Sequence, residues 1–451
     1  MSWPIESLQS IADCADAELL RLRPGHTAAK LFAFLCFPVD SKKRKRLRYQ
    51  LVEANELGLS ASRNRYFAPS ETRQLVGAPS ISAIVPNYNH ARFLDRRIKS
   101  ILRQRWPVSE LIILDDASTD NSLDVINRAI ASANVPCRVI ENECNSGSVF
   151  KQWQKGLAAA TGDIVWICES DDDCHEEFLA TLVPYFADPS VMLAFGTINF
   201  IDRDGNERES ANAYRGYSNF FARPQIGSAY AWFNGPLGTR CVISNVGGCI
   251  FRRQNLADDI QSELETYQTC GDWFLYSRLA RGGKIAFDPN ACASFRVHDN
   301  NTSISSFSTF EYYRECLRVL QAFRRHYGID RRVVRAAMQN IYHQCLQHLD
   351  RRTAREIIEP GAFRSIVAVP RKINHVLVSV DISEIAAIMA RASELAKSGD
   401  DVSLIVDGRD FAQELRSELP GEIAIFVREK ITDPDANFSA AFGVTSHLHW
   451  R

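Results

Sequence analysis

From Ile81 onward the chain alternates short apolar runs with longer amphipathic ones. "ISAIVP", "ELIILD", "CRVIE", "DIVWIC" and "VMLAFGTINFID" read as strands. Between them, "ARFLDRRIKSILRQ", "NSLDVINRAIAS", "SVFKQWQKGLAAATG" and "HEEFLATLVPYF" place apolar residues at helical spacing. Pro86 ends the first strand, Asp120 is placed to cap the second helix, and Gly162 closes the third. Strands separated by helices of this length predict βαβ units, right-handed crossovers and a parallel sheet.

The pattern divides the chain. Residues 1–77 have helical spacing with no alternating run, and "GAPS" breaks it. Residues 78–305 hold the strand–helix alternation, which loses regularity past residue 205. There "NVGGCIFRR" reads as a strand, "CGDWFLYSRLARGG" as a helix, and "KIAFDP" and "ASFRVH" as two short strands. Helical periodicity returns over 306–370. Residues 371–451 begin a second strand–helix–strand pattern that reads as a partial Rossmann-like unit.

Composition changes this picture little. The 451 residues are 45% hydrophobic and 24% charged, with a net charge of -1, so the chain as a whole has no electrostatic bias toward nucleic acid. Twelve cysteines without a CxxC pair argue against zinc or a disulfide framework and for a reducing compartment. Acidic residues near the start do not fit a secretory signal, and the apolar run 31–39 is too short to span a bilayer. A cytoplasmic location is expected. One bias is local: "SKKRKRLR", with basic residues over 42–48, reads either as attachment to an anionic membrane surface or as a solvated helix face.

Ligands of an open parallel sheet bind outside the carboxyl ends of its strands. Four polar loops fall there. They hold Pro86, Tyr88 and Asn89; the pair Asp115 and Asp116; Asn145 and Gly147; and Glu169, Asp171, Asp172 and Asp173. Paired carboxylates at a strand end suit Mn²⁺ or Mg²⁺, which bridge carboxylates to phosphates. A ring beside a carboxylate suits a nucleobase. Read alone, the acidic cluster more readily caps and charges the N-terminus of the helix that follows it. Together the four loops describe a site for a nucleoside diphosphate carrying a further group.

"SAIVPNYNHARFLDRRIKSILRQ", "LIILDDASTDNS" and "NSGSVFKQWQKGLAAATGDIVWICESDDD" resemble the nucleotide-binding half of glycosyltransferase family 2. The resemblance covers about half of the chain. It implies a GT-A fold and an inverting, metal-dependent transfer from a nucleotide-diphosphate sugar, UDP- or dTDP-linked, to a saccharide or lipid-linked acceptor of a surface glycan such as O-antigen or capsule. Pro86 and Tyr88 would line the base pocket beside Asn89. Asp116 would accept from the base, with Asp115 supporting the loop, and Asn145 and Gly147 would pass the nucleotide. Asp171 would hold the metal and Asp172 face the sugar. Glu169 stands where the family usually has Asp, which leaves open what that position contacts. "CGDWFLYSRLARGGKIAFDP" and "FRVHDNNTS" resemble segments of a family subset, in which Asp272 would be the base and Arg296 and His298 would reach the diphosphate or metal. The QxxRW motif of processive synthases is absent. The stretch from "KINHVLVSV" to "VSLIVDG" is similar to the opening of a GT-B glycosyltransferase, of family 4 type.

Two other readings compete. One is a catalytically inactive sugar-nucleotide-binding scaffold module, against which Asp272 and the acidic cluster stand. The other is a sugar nucleotidyltransferase, which needs a glycine-rich basic loop where this chain has "PNYNHARF".

Overall fold

The computed structural model describes residues 67–68, 75, 77–212, 220–281, 283–299, 301 and 305–370, and four elements beyond these, at 374–378, 385–397, 401–406 and 423–427. The helical reading of residues 1–66 and the basic run 42–48 lie outside the described residues.

A mixed sheet forms the centre. Its strands are β1 (Phe67–Ala68), β2 (Ile81–Asn87), β3 (Glu110–Asp115), β4 (Cys137–Glu141), β5 (Ile164–Ile167), β6 (Asp173–Cys174), β7 (Val191–Ile201), β8 (Glu207–Asn212), β9 (Gln225–Ser228), β10 (Cys249–Arg252) and β11 (Lys284–Arg296). The order is β1-β9-β11-β7-β10-β5-β2-β3-β4. The block β5-β2-β3-β4 is parallel, as the strand–helix alternation requires. β10 then enters antiparallel to both β5 and β7, while β7 and β11 pair in parallel. Helices α1 (Ala91–Leu102), α2 (Ser122–Ile130) and α3 (Val149–Ala159) are the crossovers of the parallel block.

 The last of them, α3, runs Val149–Ala159 and lies across β2 and β3. Right-handed crossovers of this kind set the carboxyl ends of β2, β3, β4 and β5 along one edge.

The sheet separates two apolar layers. One face packs Ile84, Leu114, Phe150, Trp153, Ile167 and Phe195 against the helices of the second half, and the other packs Val85, Leu94, Ile98, Ile113, Trp166 and Phe178. Alternate residues of each buried strand serve opposite layers, so the strands read as continuous apolar runs. Helices α4 (Gly271–Leu279), α5 (Phe310–Tyr327) and α6 (Arg331–His348) join the first layer.

Several local expectations need correction. β2 runs through Pro86 to Asn87. Its pairing with β5 stops at Ile84, so the missing N–H of Pro86 costs no ladder bond on that side. The third helix ends at Ala159, and Gly162 is not its cap. A Cβ at Gly162 would lie 2.7 Å from the Ser82 backbone nitrogen, so the glycine serves close approach of two chains. The expected helix over 175–186 is one α-turn, Phe178–Leu182, followed by a 3₁₀ segment, Val183–Ala187. The two short strands expected near the end of the sheet are one strand, β11, with an irregularity between Asp288 and Cys292. That extra length lets it keep pairing with β7 after a bulge.

Past residue 370, β12 (Asn374–Val378), β13 (Asp401–Val406) and β14 (Ile423–Val427) form a separate parallel sheet in chain order, with a helix at Ile385–Lys397. Among the described residues no helix is long and apolar enough to cross a membrane.

Candidate active site

The loops after β2, β3 and β4 are tied into one polar network. Asp115 is 1% exposed, and its Oδ1 accepts from Asn87 Nδ2 at 2.8 Å and Ser118 Oγ at 2.7 Å. Asp116 accepts four bonds: from Asn142 Nδ2, the Ser146 N–H and Gln152 Nε2 at Oδ1, and from Ser146 Oγ at Oδ2. A carboxylate this well supplied with donors fixes the two loops around it. Ala117, which follows Asp116, takes φ 58°, a left-handed conformation that L-residues avoid, and the surrounding bonds hold it there. Asn89, also at positive φ, accepts from the Thr119 N–H at 2.7 Å. Asp120 accepts from the N–H groups of both Ala91 and Ser122, so it serves the starts of two helices rather than one. Asn145 accepts from the Gly147 N–H at 2.6 Å, and Gly147 turns at φ 69°. Pro86 is buried in β2, whereas Tyr88 is 45% exposed and free to stack on a ring.

A second group gathers around the acidic cluster. His298 Nε2 lies 2.9 Å from Asp171 Oδ2. His90, at the start of α1, meets Ser170 Oγ through Nδ1 at 2.8 Å. One ligand atom from each of His90, Asp171 and His298 lies within 4.8 Å of the others. Burial lowers the pKa of His90, opposed by the charge of Asp171. Burial works against ionisation of Asp171 too, but the His298 hydrogen bond and the charges of His90 and His298 hold it below the usual carboxylate range. Mn²⁺ is a hard cation that takes carboxylate oxygen and also accepts imidazole nitrogen, so these three residues fit the metal the sequence implies. Phe93 stacks on the His298 ring at 5.0 Å and lies beneath the Arg296 guanidinium at 5.2 Å.

Asp172 is 2% exposed and points the other way. It accepts from the Arg296 N–H at 2.8 Å and from Asn245 Nδ2. Burial, then the charge of Asp171, pushes its pKa up to about 8. Arg296 gives its Nε to the Asp171 carbonyl at 2.7 Å and its Nη1 to the carbonyls of Asp202 and Arg203, so these donors hold the loop backbone. Glu169 turns away to accept from Trp153 Nε1 at 2.9 Å, and burial with the charges of Asp171 and Asp172 raises it to about 8. Asp173 pairs with Arg96 and sits in β6 against β11.

Asp272 lies in the first turn of α4, and its Oδ1 accepts from the Trp273 N–H at 2.6 Å. Burial raises its pKa to about 7, which suits a base working near neutrality. On the same helix, burial raises the Tyr276 phenol well above its ordinary value, and the nearby Asp272 and Glu169 add to the shift.

Sequence reasoning missed four contributors. His90 had a readable signal, a histidine one residue past Asn89 at a strand's carboxyl end. Arg97 is fully buried, with its guanidinium 5.1 Å from the Trp166 ring, and its signal was a charge inside the apolar stripe of Leu94, Ile98 and Ile101. The charges of Cys168, Cys174, Asp172 and Asp173 outweigh burial and raise its pKa. Asn245 had no signal. Asn301 reads as a glycosylation sequon, yet it is 6% exposed, accepts from the His298 N–H at 2.6 Å and donates to the Arg296 carbonyl at 3.1 Å.

With this geometry in hand, the likeness to known proteins is specific. The similarity is to glycosyltransferases. Residues 82–251 match the model of glycosyl transferase family 2. An uncharacterised glycosyltransferase of Nostoc sp. is 28% identical over 229 residues, 51% of this chain and 68% of the relative. A Bacillus subtilis glycosyltransferase provisionally assigned to teichuronic acid biosynthesis is 24% identical over 246 residues, 53% of this chain and 90% of the relative. Among solved structures, S. aureus TarS residues 1–349 in complex with UDP-GlcNAc aligns at a TM-score of 0.43 with 16% identity, covering 70% of this chain and 81% of that one.

Proposed function

We propose that this protein transfers a sugar from a nucleotide-diphosphate sugar to a hydroxyl of a saccharide or lipid-linked acceptor, with inversion and with help from a divalent cation. The observation that carries the reading is the meeting of His90, Asp171 and His298 within 4.8 Å, at the sheet edge that also holds the Asp115–Asp116 network. The Bacillus relative favours an acceptor in surface polysaccharide synthesis. Residues 78–305 make up the transferase unit in this reading, with 306–370 as a helical extension packed on it and 371–451 as a partial Rossmann-like α/β segment.

Each residue then has a task. Tyr88 offers its exposed face to the base, and Asp116 keeps the neighbouring loops in shape for it. His90, Asp171 and His298 would hold Mn²⁺, preferred over Mg²⁺ because two of the three donors are imidazole nitrogens. When bound, such an ion offsets charge that builds on the departing diphosphate. Asp272 accepts the proton of the attacking hydroxyl. The new C–O bond forms on one face of the anomeric carbon as the bond to the diphosphate oxygen breaks on the other, which inverts that centre.

A thermal-shift screen of UDP-, dTDP- and GDP-sugars with and without Mn²⁺ tests this. A ligand at 100 times its Kd adds about 2.7 kcal/mol to the native state, a shift of several degrees. The expected outcome is stabilisation by one nucleotide class that needs Mn²⁺ and is lost in His298→Ala. A screen in which no nucleotide raises the melting temperature would remove the reading.

A further inference from the structure

The segment that leads into Asp272 is held by a residue far along the chain. Glu315, on α5, is 1% exposed. Its Oε1 accepts from the Gln268 N–H at 2.6 Å, and its Oε2 accepts from the N–H groups of Thr269 at 2.9 Å and Cys270 at 2.8 Å. Cys270 is the N-cap of α4, two residues before Asp272. A buried carboxylate is costly unless its oxygens are well supplied with donors, and here three successive amides supply them. The rest of α5 grips the same segment. Cys316 Sγ lies 3.6 Å from Cys270 Sγ, Arg318 Nη2 donates to Thr266 Oγ1 at 2.5 Å, and the Tyr327 hydroxyl donates to the Ser277 carbonyl at 2.5 Å. Phe323 meets the Trp273 ring edge-on at 5.3 Å. Apolar contacts of this kind would dock α5 without any charge, so the carboxylate has a more particular task.

We propose that Glu315 is a positioning residue for glycosyl transfer: by fixing the backbone of residues 268–270 it sets the place of the Asp272 carboxylate. This rests on the reading of Asp272 as the base. The groups acting on or near Asp272 are Cys241 and Cys249 from the segment around β10, Cys270 and Tyr276 from its own helix, and Glu315 from α5. Burial drives the thiols of Cys241 and Cys249 and the Tyr276 phenol well above their ordinary values, and the Cys316 hydrogen bond with burial does the same to Cys270, so all four are neutral in the working range. Glu315 is the charged neighbour among them, and its charge raises the proton affinity of Asp272.

The test compares Glu315→Gln, Glu315→Asp, Val319→Ala and Asp272→Asn in the full chain. Val319 is a buried core residue of the same helix and controls for loss of stability alone. Turnover is read as nucleoside diphosphate released from the sugar nucleotide that scores in the thermal screen, and donor-site binding as UDP or GDP affinity with Mn²⁺ by calorimetry. In Glu315→Gln, kcat should fall about 10- to 100-fold, the scale of a misplaced catalytic group. Diphosphate affinity should stay within about twofold, since these residues do not touch the metal group. The acid limb of the kcat profile should move to lower pH. Glu315→Asp keeps the charge but withdraws the oxygens from the three amides, so kcat should fall by a similar factor while the acid limb stays in place. Unchanged kcat in Glu315→Gln overturns the proposal, and so does a loss that Val319→Ala reproduces at the same melting temperature. If Glu315→Gln does not fold, Glu315→Asp against Val319→Ala decides by the same comparison. Near-normal turnover in Asp272→Asn removes the base assignment itself, whereas an inactive Asp272→Asn beside an unaffected Glu315→Gln removes only the role of Glu315.

Discussion

The indole Nε1 of Trp153 donates to Glu169 Oε1 at 2.9 Å and draws the first acid of the cluster away from His90 and His298. The extra methylene of Glu over Asp is what lets the side chain reach α3. Glu169→Asp should therefore lose the bond and leave a gap, at a cost of about 1–3 kcal/mol. Glu169→Gln resembles the protonated acid and should keep near-native stability at pH 6. Urea unfolding of the two variants checks this, and equal stabilities would refute it.

Removing either imidazole should weaken Mn²⁺ binding about tenfold or more. The check is an electron spin echo spectrum of the Mn²⁺-loaded protein. It should show nitrogen couplings that diminish in His90→Ala and again in His298→Ala. A spectrum without nitrogen coupling would leave Asp171 as the one protein ligand of the three.

The metal-free protein should lose stability as pH rises from about 4 to 8. Glu169 and Asp172 have folded pKa values raised to about 8, so the native state holds protons that the unfolded chain releases. Stability then falls with pH across that window. Asp171, held below the usual range, contributes the opposite sign, but only at the acid end. Melting temperatures with EDTA between pH 5 and 8 test the slope. Mn²⁺ should raise the melting temperature more at pH 8 than at pH 6, because a cation competes with protons for this cluster.

Asp188 gives the reverse behaviour at a remote place. Burial opposes its charge, but Lys284 Nζ at 2.8 Å and the hydroxyl and N–H of Ser190 hold its pKa at about 2. The stability this contributes is present above pH 4 and lost as pH falls toward 2, about 2 kcal/mol in all. Lys284→Met should flatten the acid limb of the unfolding curve, and an unchanged limb would assign the effect to Ser190.

The parallel block was legible because β2, β3, β4 and β5 alternate with amphipathic helices, and strand ends of that topology must share an edge. The second half was not. β10 is short and antiparallel, and β11 crosses a bulge that a periodicity reading cuts in two. The acids were legible as a cluster but not in their directions: Asp171 faces the histidines, Asp172 faces Asn245, and Glu169 faces Trp153. Those choices depend on partners dozens of residues away. His90 was overlooked because a histidine carries no periodicity, and Glu315 because a lone acid on a long helix looks like solvent-facing charge.

The long parallel pairing of β7 with β11 bears on any attempt to trim the gene. A product ending at residue 251 would keep every loop of the nucleotide half yet strip β7 of a flank, baring Leu193, Phe195 and Ile198. Such a fragment would stick to its copies through that raw margin and collect in inclusion bodies. A chain that keeps the first apolar layer covered runs at least through α6.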